Sequence, residues 1–152
     1  MIRIPENIKK KISFIIGSSD NVSNMPVIVY DEIRVRFLSD LSRSLLGHSD
    51  IRQHPDVATF AFWCRKSNLN KIMGNHSTTY LRVGLGMVYH NSPSNVPVNF
   101  AFSFAFGFLS GNTCVVRLSS KESDSASIIV NVLSDLLDTK KYSEIRKFIF
   151  II

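Results

Sequence analysis

The clearest pattern in the chain is a long apolar run between two sets of turn residues. Over residues 96–110, phenylalanines at every second position alternate mostly with small residues, which alone is typical of a strand with one aromatic face. The run is longer than most strands, Asn95 and Pro97 suit the start of a helix, and Gly111-Asn112 suits its end. We therefore predict a buried helix with Asn95 as its N-cap, and keep the strand as the alternative.

Further apolar runs flank this helix and predict parallel strands. The first is broken by Gly84 and Gly86, which indicate a bulge or a tight turn. A strand, a helix and a strand in about 30 residues make a right-handed βαβ unit. We expect strands within Tyr80–Tyr89, Thr113–Leu118 and Lys147–Ile152, and a helix over Ser123–Leu137.

The amino-terminal half reads as mainly helical. Apolar residues fall on one helical face from Asp31 to Leu46, and Gly47 ends that pattern. A second helix is expected over residues 55–72, and short extended pieces over residues 1–30. The fold class is thus α/β. We expect one incomplete domain over residues 1–152, with 1–78 mainly helical and 79–152 forming strand, helix, strand, helix and strand.

Composition narrows the classes of partner. The 152 residues carry a formal net charge of +6, but the basic residues are scattered and do not alternate with aromatic ones, so we expect no nucleic-acid partner. The longest apolar run, Val98–Leu109, is about half the roughly 20 residues of a membrane crossing, and the first 17 residues fail as a signal peptide. Cys64 and Cys114 lack paired spacing, which favours a reducing cytoplasm.

One segment resembles a known family. The sequence SPSNVPVNFAFSFAFGFLSGNTCVVR, over residues 92–117, resembles the cofactor-domain segment of LuxC-type acyl-CoA reductases, the fatty-acyl reductases of bacterial luminescence and their relatives, in the aldehyde dehydrogenase superfamily. The superfamily pattern is a Pro-Trp-Asn-x-Pro loop, a helix, Gly-Asn-Thr, and a strand ending in Lys. Here Ser94 replaces the Trp and Arg117 stands at the Lys position. A weaker similarity to the same family extends upstream, over residues 61–68 and 81–90.

The resemblance implies a partial Rossmann-like cofactor domain and a reaction. The family reduces an acyl thioester, on coenzyme A or a protein, to an aldehyde with NADPH, through an acyl group carried on a cysteine. Asn95 matches the position of the oxyanion-binding amide, although a helix N-cap explains it equally well. Arg117 matches a ligand of the adenosine half, where a guanidinium suits a 2′-phosphate, and the alternative is a solvent-facing arginine. The implied cofactor-binding residues are Ser92, Pro93, Ser94, Asn95, Arg117 and Ser119.

The catalytic cysteine of the family has no counterpart before Ile152. Cys64 lies on an apolar helical face, which is typical of a core residue, and the four histidines have no metal-ligand spacing. We therefore expect an amino-terminal part of a reductase that binds NADPH weakly and is inactive as an isolated chain. The alternative is a truncated remnant or a binding module, in which an exposed third-strand edge pairs with another polypeptide that completes the domain.

Overall fold

The computed structural model describes residues 12–20, 22–75 and 79–152. Helix α1 spans Glu32–Leu46 as the pattern predicts. Asp31 caps it by accepting a hydrogen bond from the Ile33 backbone N–H at 3.1 Å, and Gly47 follows its last turn. Its apolar face is fully buried in the core. The extended pieces predicted for residues 1–11 lie outside the described residues.

The single helix predicted over residues 55–72 is wrong. A 3-10 turn at Ile51–Gln53 is followed by two helices, α2 (Pro55–Trp63) and α3 (Lys66–Asn75). The side-chain amide of Asn68 donates to the Trp63 carbonyl at 2.7 Å, and the Arg65 N–H bonds to Phe62, three residues back. These bonds tighten the chain after Trp63, so a new helix begins at Lys66.

A three-stranded parallel sheet forms the second half. Its strands, in the order β1-β2-β3, are Met87–Asn91, Thr113–Arg117 and Ile149–Ile151. Val88 stands opposite Cys114, which stands opposite Ile149. The α/β class and the partial Rossmann-like unit are confirmed. Strand β1 is shorter than the Tyr80–Tyr89 run, because Gly86 has a φ of +113° that turns the chain just before it.

The phenylalanine-rich run is a helix, as predicted. Helix α4 spans Asn99–Leu109 and buries Phe100, Phe104 and Phe108, while Phe106 points outward with 54% of its surface exposed. The prediction that Asn95 caps it is wrong. Residues 92–98 form bends and a turn, the N-cap is Val98, and no side chain caps this helix.

Helix α5 spans Asp124–Leu137 and connects β2 to the last strand. Ser123 caps it by accepting a hydrogen bond from the Ala126 N–H at 3.4 Å. The helix packs against α1, and a 3-10 segment over Lys140–Phe148 leads from it into β3. The two crossover helices thus begin at the ends of β1 and β2, which places both N-termini at one edge of the sheet.

A buried arginine ties α1 to the carboxyl end of α4. The Arg34 guanidinium, 1% exposed, donates to the carbonyls of Phe108 and Asn112, each at 2.7 Å, and lies over the Phe108 ring at 4.5 Å. Burial lowers the pKa of Arg34 to about 10. The side chain thereby satisfies carbonyls that a helix end leaves without an intrahelical partner.

The third strand is not an open edge. The Ile15 and Ile16 N–H groups donate to the Ile151 carbonyl at 2.8 and 3.2 Å, and the Ile151 N–H donates to Ile16 at 3.0 Å. Residues 15–16 thus pair antiparallel with β3, whose three residues are all buried. The exposed third-strand edge assumed by the alternative is wrong, because residues 15–16 of the chain pair with it.

Candidate functional site

An open cavity of about 410 Å³ lies beyond the carboxyl ends of β1 and β2. This is the edge of a parallel sheet at which ligands of doubly wound folds bind, and the volume is within the range of small-molecule sites. The loop after β1 and the loop after β2 form its walls. The lining residues are Ile15, Ser92, Pro93, Ser94, Pro97, Phe100, Leu118, Ser119, Ser120, Lys121, Glu122, Ser123, Ala126, Ser127, Val130 and Asn131.

Two helix N-termini meet at this cavity. Pro97 and Phe100 bring the start of α4 to it, and Ser123 and Ser127 bring the start of α5. The N-terminus of a helix carries a partial positive charge and free N–H donors. Helix α4 has no side-chain cap, and its Asn99 and Ala101 N–H groups donate to the Val96 and Val98 carbonyls, so its N-terminus acts on a ligand mainly through its partial positive charge. The arrangement favours an anionic group, and phosphate is the usual one.

Polar side chains of the two loops add to this preference. The Ser92 hydroxyl oxygen is buried and has no hydrogen-bond partner within the described chain, while the Ser92 N–H donates to the Arg117 carbonyl at 3.2 Å. Lys121 supplies a cation at the rim, and its backbone N–H donates to the Ser119 hydroxyl at 3.1 Å. The lone acidic side chain lining the cavity is Glu122. The mouth of the cavity therefore holds one cationic and one anionic side chain beside the N-termini of α4 and α5.

The structure unites four of the six predicted cofactor residues. Ser92, Pro93, Ser94 and Ser119 all line the cavity. Arg117 and Asn95 do not line it. Arg117 is exposed at the end of β2, where it donates to the Asn91 side-chain oxygen at 3.2 Å, and Asn95 is exposed in the loop before α4.

Lys121 was not among the predicted site residues, although its position in the sequence could have indicated it. It falls in the loop between β2 and the Ser123 cap, and such strand-to-helix loops bind phosphates in doubly wound folds. The signal was the position in the fold, since the residue type alone is common on surfaces. Lys121 now stands as the cation nearest the helix ends.

Neither cysteine is placed for nucleophilic chemistry. Cys64 and Cys114 are fully buried, and burial raises the pKa of both thiols, for Cys114 to about 12. A thiol at such a pKa is almost entirely protonated near neutrality, and the thiolate is the reactive form. The prediction that Cys64 is a core residue is confirmed by its position.

His90 precedes the loop after β1 but does not line the cavity. Its Nδ1 is 2.7 Å from the Ser103 hydroxyl, and its Nε2 is buried without a partner within residues 12–20, 22–75 and 79–152. Burial lowers the pKa of His90. The ring fits because Gly107 has no side chain: a Cβ there would stand 2.7 Å from the ring carbon Cε1. His90 thus serves the packing of α4 on β1.

Two further properties hold for the described part of the chain. No helix there is long and apolar enough to cross a bilayer. No group of three or more His, Cys, Asp or Glu side chains there could hold a metal ion.

The comparison with protein families shows the family to which the chain belongs. The sequence model of the acyl-CoA reductase (LuxC) family matches residues 58–147, more than half of the chain. The chain belongs to the acyl-CoA reductase (LuxC) family. The match spans β1, α4, β2 and α5, and so includes the loops that form the cavity. No curated protein and no solved structure gives a significant match.

Proposed function

We propose that this chain is the cofactor-binding part of an NADPH-dependent fatty-acyl-CoA reductase. The observation that carries the proposal is the cavity between the N-termini of α4 and α5, in a chain of the LuxC family. NADPH carries three phosphates, and each is a suitable anion for a helix N-terminus or for Lys121. When bound, the cofactor supplies a hydride for reduction of an acyl thioester to an aldehyde.

The residues of the cavity have separable tasks under this proposal. The partial positive charge at the start of α4 favours one phosphate there, and the buried Ser92 hydroxyl, which has no partner among the described residues, donates a hydrogen bond to it. Lys121 neutralises a second phosphate at the rim. Arg117 reaches the adenosine half from the neighbouring surface, provided that its contact with Asn91 is exchanged for a phosphate. Asn95 would act as oxyanion donor only if its loop moves toward a substrate.

We further propose that the isolated chain does not reduce acyl thioesters. An acyl-enzyme needs an accessible thiolate, and both thiols of the chain are buried with raised pKa values. The cavity is open and offers one cation, Lys121, beside one acid, Glu122, so we expect a dissociation constant for NADPH of about 1 mM or weaker.

The test is a titration of the chain with 2′,5′-ADP and, separately, with 5′-AMP, followed by backbone amide NMR. Shifts should concentrate in residues 92–100 and 118–127, with tighter binding of 2′,5′-ADP because it carries a second phosphate. The Lys66→Ala variant is the control for the overall positive charge of the chain. It removes one positive charge in α3, away from the cavity, and should leave the binding unchanged. Saturation below about 10 µM, or shifts that avoid both loops, would contradict the proposal.

A further inference from the structure

The amino-terminal segment contributes one residue to the cavity. Ile15 lines the cavity, although it is far in sequence from the two loops that form the other walls. Its N–H donates at 2.8 Å to the carbonyl of Ile151, the last residue of β3, and Ile16 pairs antiparallel with the same residue. On the other side, the Phe14 ring packs edge-on against Phe150, with the ring centroids 6.5 Å apart. The backbone around Ile15 is therefore held at the carboxyl end of the sheet.

Ile15 and Ile16 lie in opposite environments. Only 2% of the surface of Ile16 is exposed, and its side chain belongs to the core, whereas 55% of Ile15 is exposed. A single exposed apolar residue is ordinary on a protein surface. Ile15 differs from such a residue because backbone hydrogen bonds fix its position and because its side chain forms part of a cavity wall.

The lining of the cavity changes from polar to apolar along α5. Ser123 lies at the start of the helix, and Val130 lies seven residues further on, about 10 Å along the axis. Leu118 also lines the cavity, and its N–H donates at 2.9 Å to the Ile152 carbonyl, directly after β3. The residues Ile15, Leu118 and Val130 thus give the cavity an apolar part, set apart from the polar start of the helix.

We propose that Ile15 determines specificity in this cavity by packing against the base of a bound nucleotide. The inference rests on the proposed function, in which the helix N-termini and Lys121 take the phosphates. A nucleotide has a charged phosphate and a flat, largely apolar base, and the two parts of the cavity match this division. The amino-terminal segment is then a part of the cofactor site, in addition to its role in covering β3.

This contact couples nucleotide binding to the pairing of residues 15–16 with β3. When the segment leaves β3, Ile15 leaves the cavity, so the paired state binds a nucleotide more tightly than the open state does. Because the coupling is reciprocal, a bound nucleotide stabilises the pairing by the same factor. Burial of about 30 to 50 Å² of apolar surface on Ile15 corresponds to a factor of about 4 to 8.

Two ligands that differ only in the base test the contact. 5′-AMP and ribose 5-phosphate share the phosphate and the sugar, and each is titrated into the wild-type chain and Ile15→Ala, followed by backbone amide NMR. Ile15→Ala should weaken the binding of 5′-AMP by a factor of about 4 to 8 and leave the binding of ribose 5-phosphate unchanged. Ile15→Leu keeps the apolar area and should bind 5′-AMP within a factor of about 2 of the wild type.

Ile28→Ala is the matched control. Ile28 is 48% exposed and forms an antiparallel bridge with Val83, but it does not line the cavity, so its loss should change neither affinity. Unchanged binding of 5′-AMP by Ile15→Ala, equal weakening of both ligands, or an equal loss with Ile28→Ala would overturn the inference and leave the proposed function standing. A wild-type chain that binds neither 5′-AMP nor 2′,5′-ADP would contradict the proposed function, and the inference with it.

Hydrogen exchange of the wild-type chain tests the coupling without any substitution. The Ile15 and Ile16 N–H groups are bonded to Ile151, so they exchange when the segment leaves β3. Saturating 5′-AMP should slow their exchange by a factor of about 4 to 8, and saturating ribose 5-phosphate should not. The Val29 N–H, bonded to the Arg82 carbonyl at 3.0 Å, is the reference and should be unaffected. Unchanged exchange of the Ile15 and Ile16 N–H groups in 5′-AMP would overturn the proposed contact.

Discussion

The two ends of α4 satisfy their backbone groups in opposite ways. At the carboxyl end, Arg34 donates to Phe108 and Asn112, and the Asn112 side chain donates to Gly107 at 3.1 Å while accepting from the Leu85 N–H. At the amino end no side chain caps the helix, and its first turn lines an open cavity. The carboxyl end is closed by buried side-chain contacts, and the amino end opens on the cavity.

This difference separates stability from function within a single helix. Because the carboxyl end is buried and its carbonyls accept hydrogen bonds from Arg34, changes there should lower the free energy of unfolding. Changes at the amino end touch solvent-facing groups, so they should alter ligand binding and leave stability nearly unchanged. The four predictions that follow test this separation.

The largest effect is expected from Arg34→Met. The change removes two charge-assisted hydrogen bonds and leaves the Asn112 carbonyl buried without its donor. We expect a loss of about 3 kcal/mol in the free energy of unfolding, measured by urea titration. Arg36→Met on the same helix is the control, since Arg36 is half exposed and paired only with Glu32; it should cost less than about 1 kcal/mol. Equal losses of unfolding free energy for the two variants would contradict a stabilising role for the Arg34 contacts at the carboxyl end of α4.

The next effect concerns the turn after α4. Gly111 has a φ of +85°, and a Cβ there would stand 2.1 Å from the Val27 carbonyl oxygen. We expect Gly111→Ala to cost about 2 kcal/mol or more, because both the backbone conformation and the contact are unfavourable. Gly74→Ala is the matched control: it lies in α3 with nothing within 4 Å of the new Cβ, and should stabilise by about 0.5 to 1 kcal/mol. Thermal unfolding measures the stability change in each variant. A change in the same direction for both variants would contradict the prediction.

These particular residues also show how far the sequence determines the fold. Gly111-Asn112 marked the end of α4, and the 3.6-residue period placed α1 and α5, because turn chemistry and amphipathic pattern are local properties. Asn95 was misread as a cap, since the local pattern could not reveal that turns would delay the helix to Asn99. Arg34 gave no signal at all. Its role depends on Phe108 and Asn112, more than 70 residues away in sequence.

The candidate site was predictable to the same extent. Ser92, Pro93, Ser94 and Ser119 were placed by the motif and do meet in the cavity, because loops after adjacent parallel strands meet at one sheet edge. Arg117 was placed at the correct strand end. Strand β2 begins at Thr113 as expected, but the Arg117 side chain donates to Asn91 on the neighbouring strand, and a contact between strands is not visible in a local pattern.

Between the two ends, His90 makes stability depend on pH. Its pKa is lowered by burial, so the unfolded chain binds a proton more readily than the folded one. Stability should therefore be highest above the unfolded value of about 6.5 and fall as pH drops below it, by at most about 1.4 kcal/mol per pH unit. The facing groups, Ser103 and Cys114, remain neutral in this range.

The measurement for His90 is urea unfolding from pH 8 to pH 5. His90→Gln should reduce the slope of stability against pH below pH 6.5, compared with the wild-type chain under the same conditions. At pH 8, where the wild-type imidazole is neutral, the two slopes should agree. An unchanged slope at low pH would show that His90 is not the group that resists protonation in the folded state.

The smallest effect is expected at the open end of α4. Lys121 lines the cavity but forms no ion pair within the described residues, so Lys121→Ala should change the free energy of unfolding by less than about 0.5 kcal/mol. The same change removes one cation beside two helix N-termini, and a solvent-exposed charge contact contributes about 0.2 to 1 kcal/mol. Binding of 2′,5′-ADP should therefore weaken by a factor of about 1.5 to 5, and binding of a neutral nucleoside should not change. Urea unfolding and NMR titration of one preparation give both values. A Lys121→Ala chain that loses stability as Arg34→Met does, with unaltered affinity, would reverse the roles assigned to the two ends of the helix.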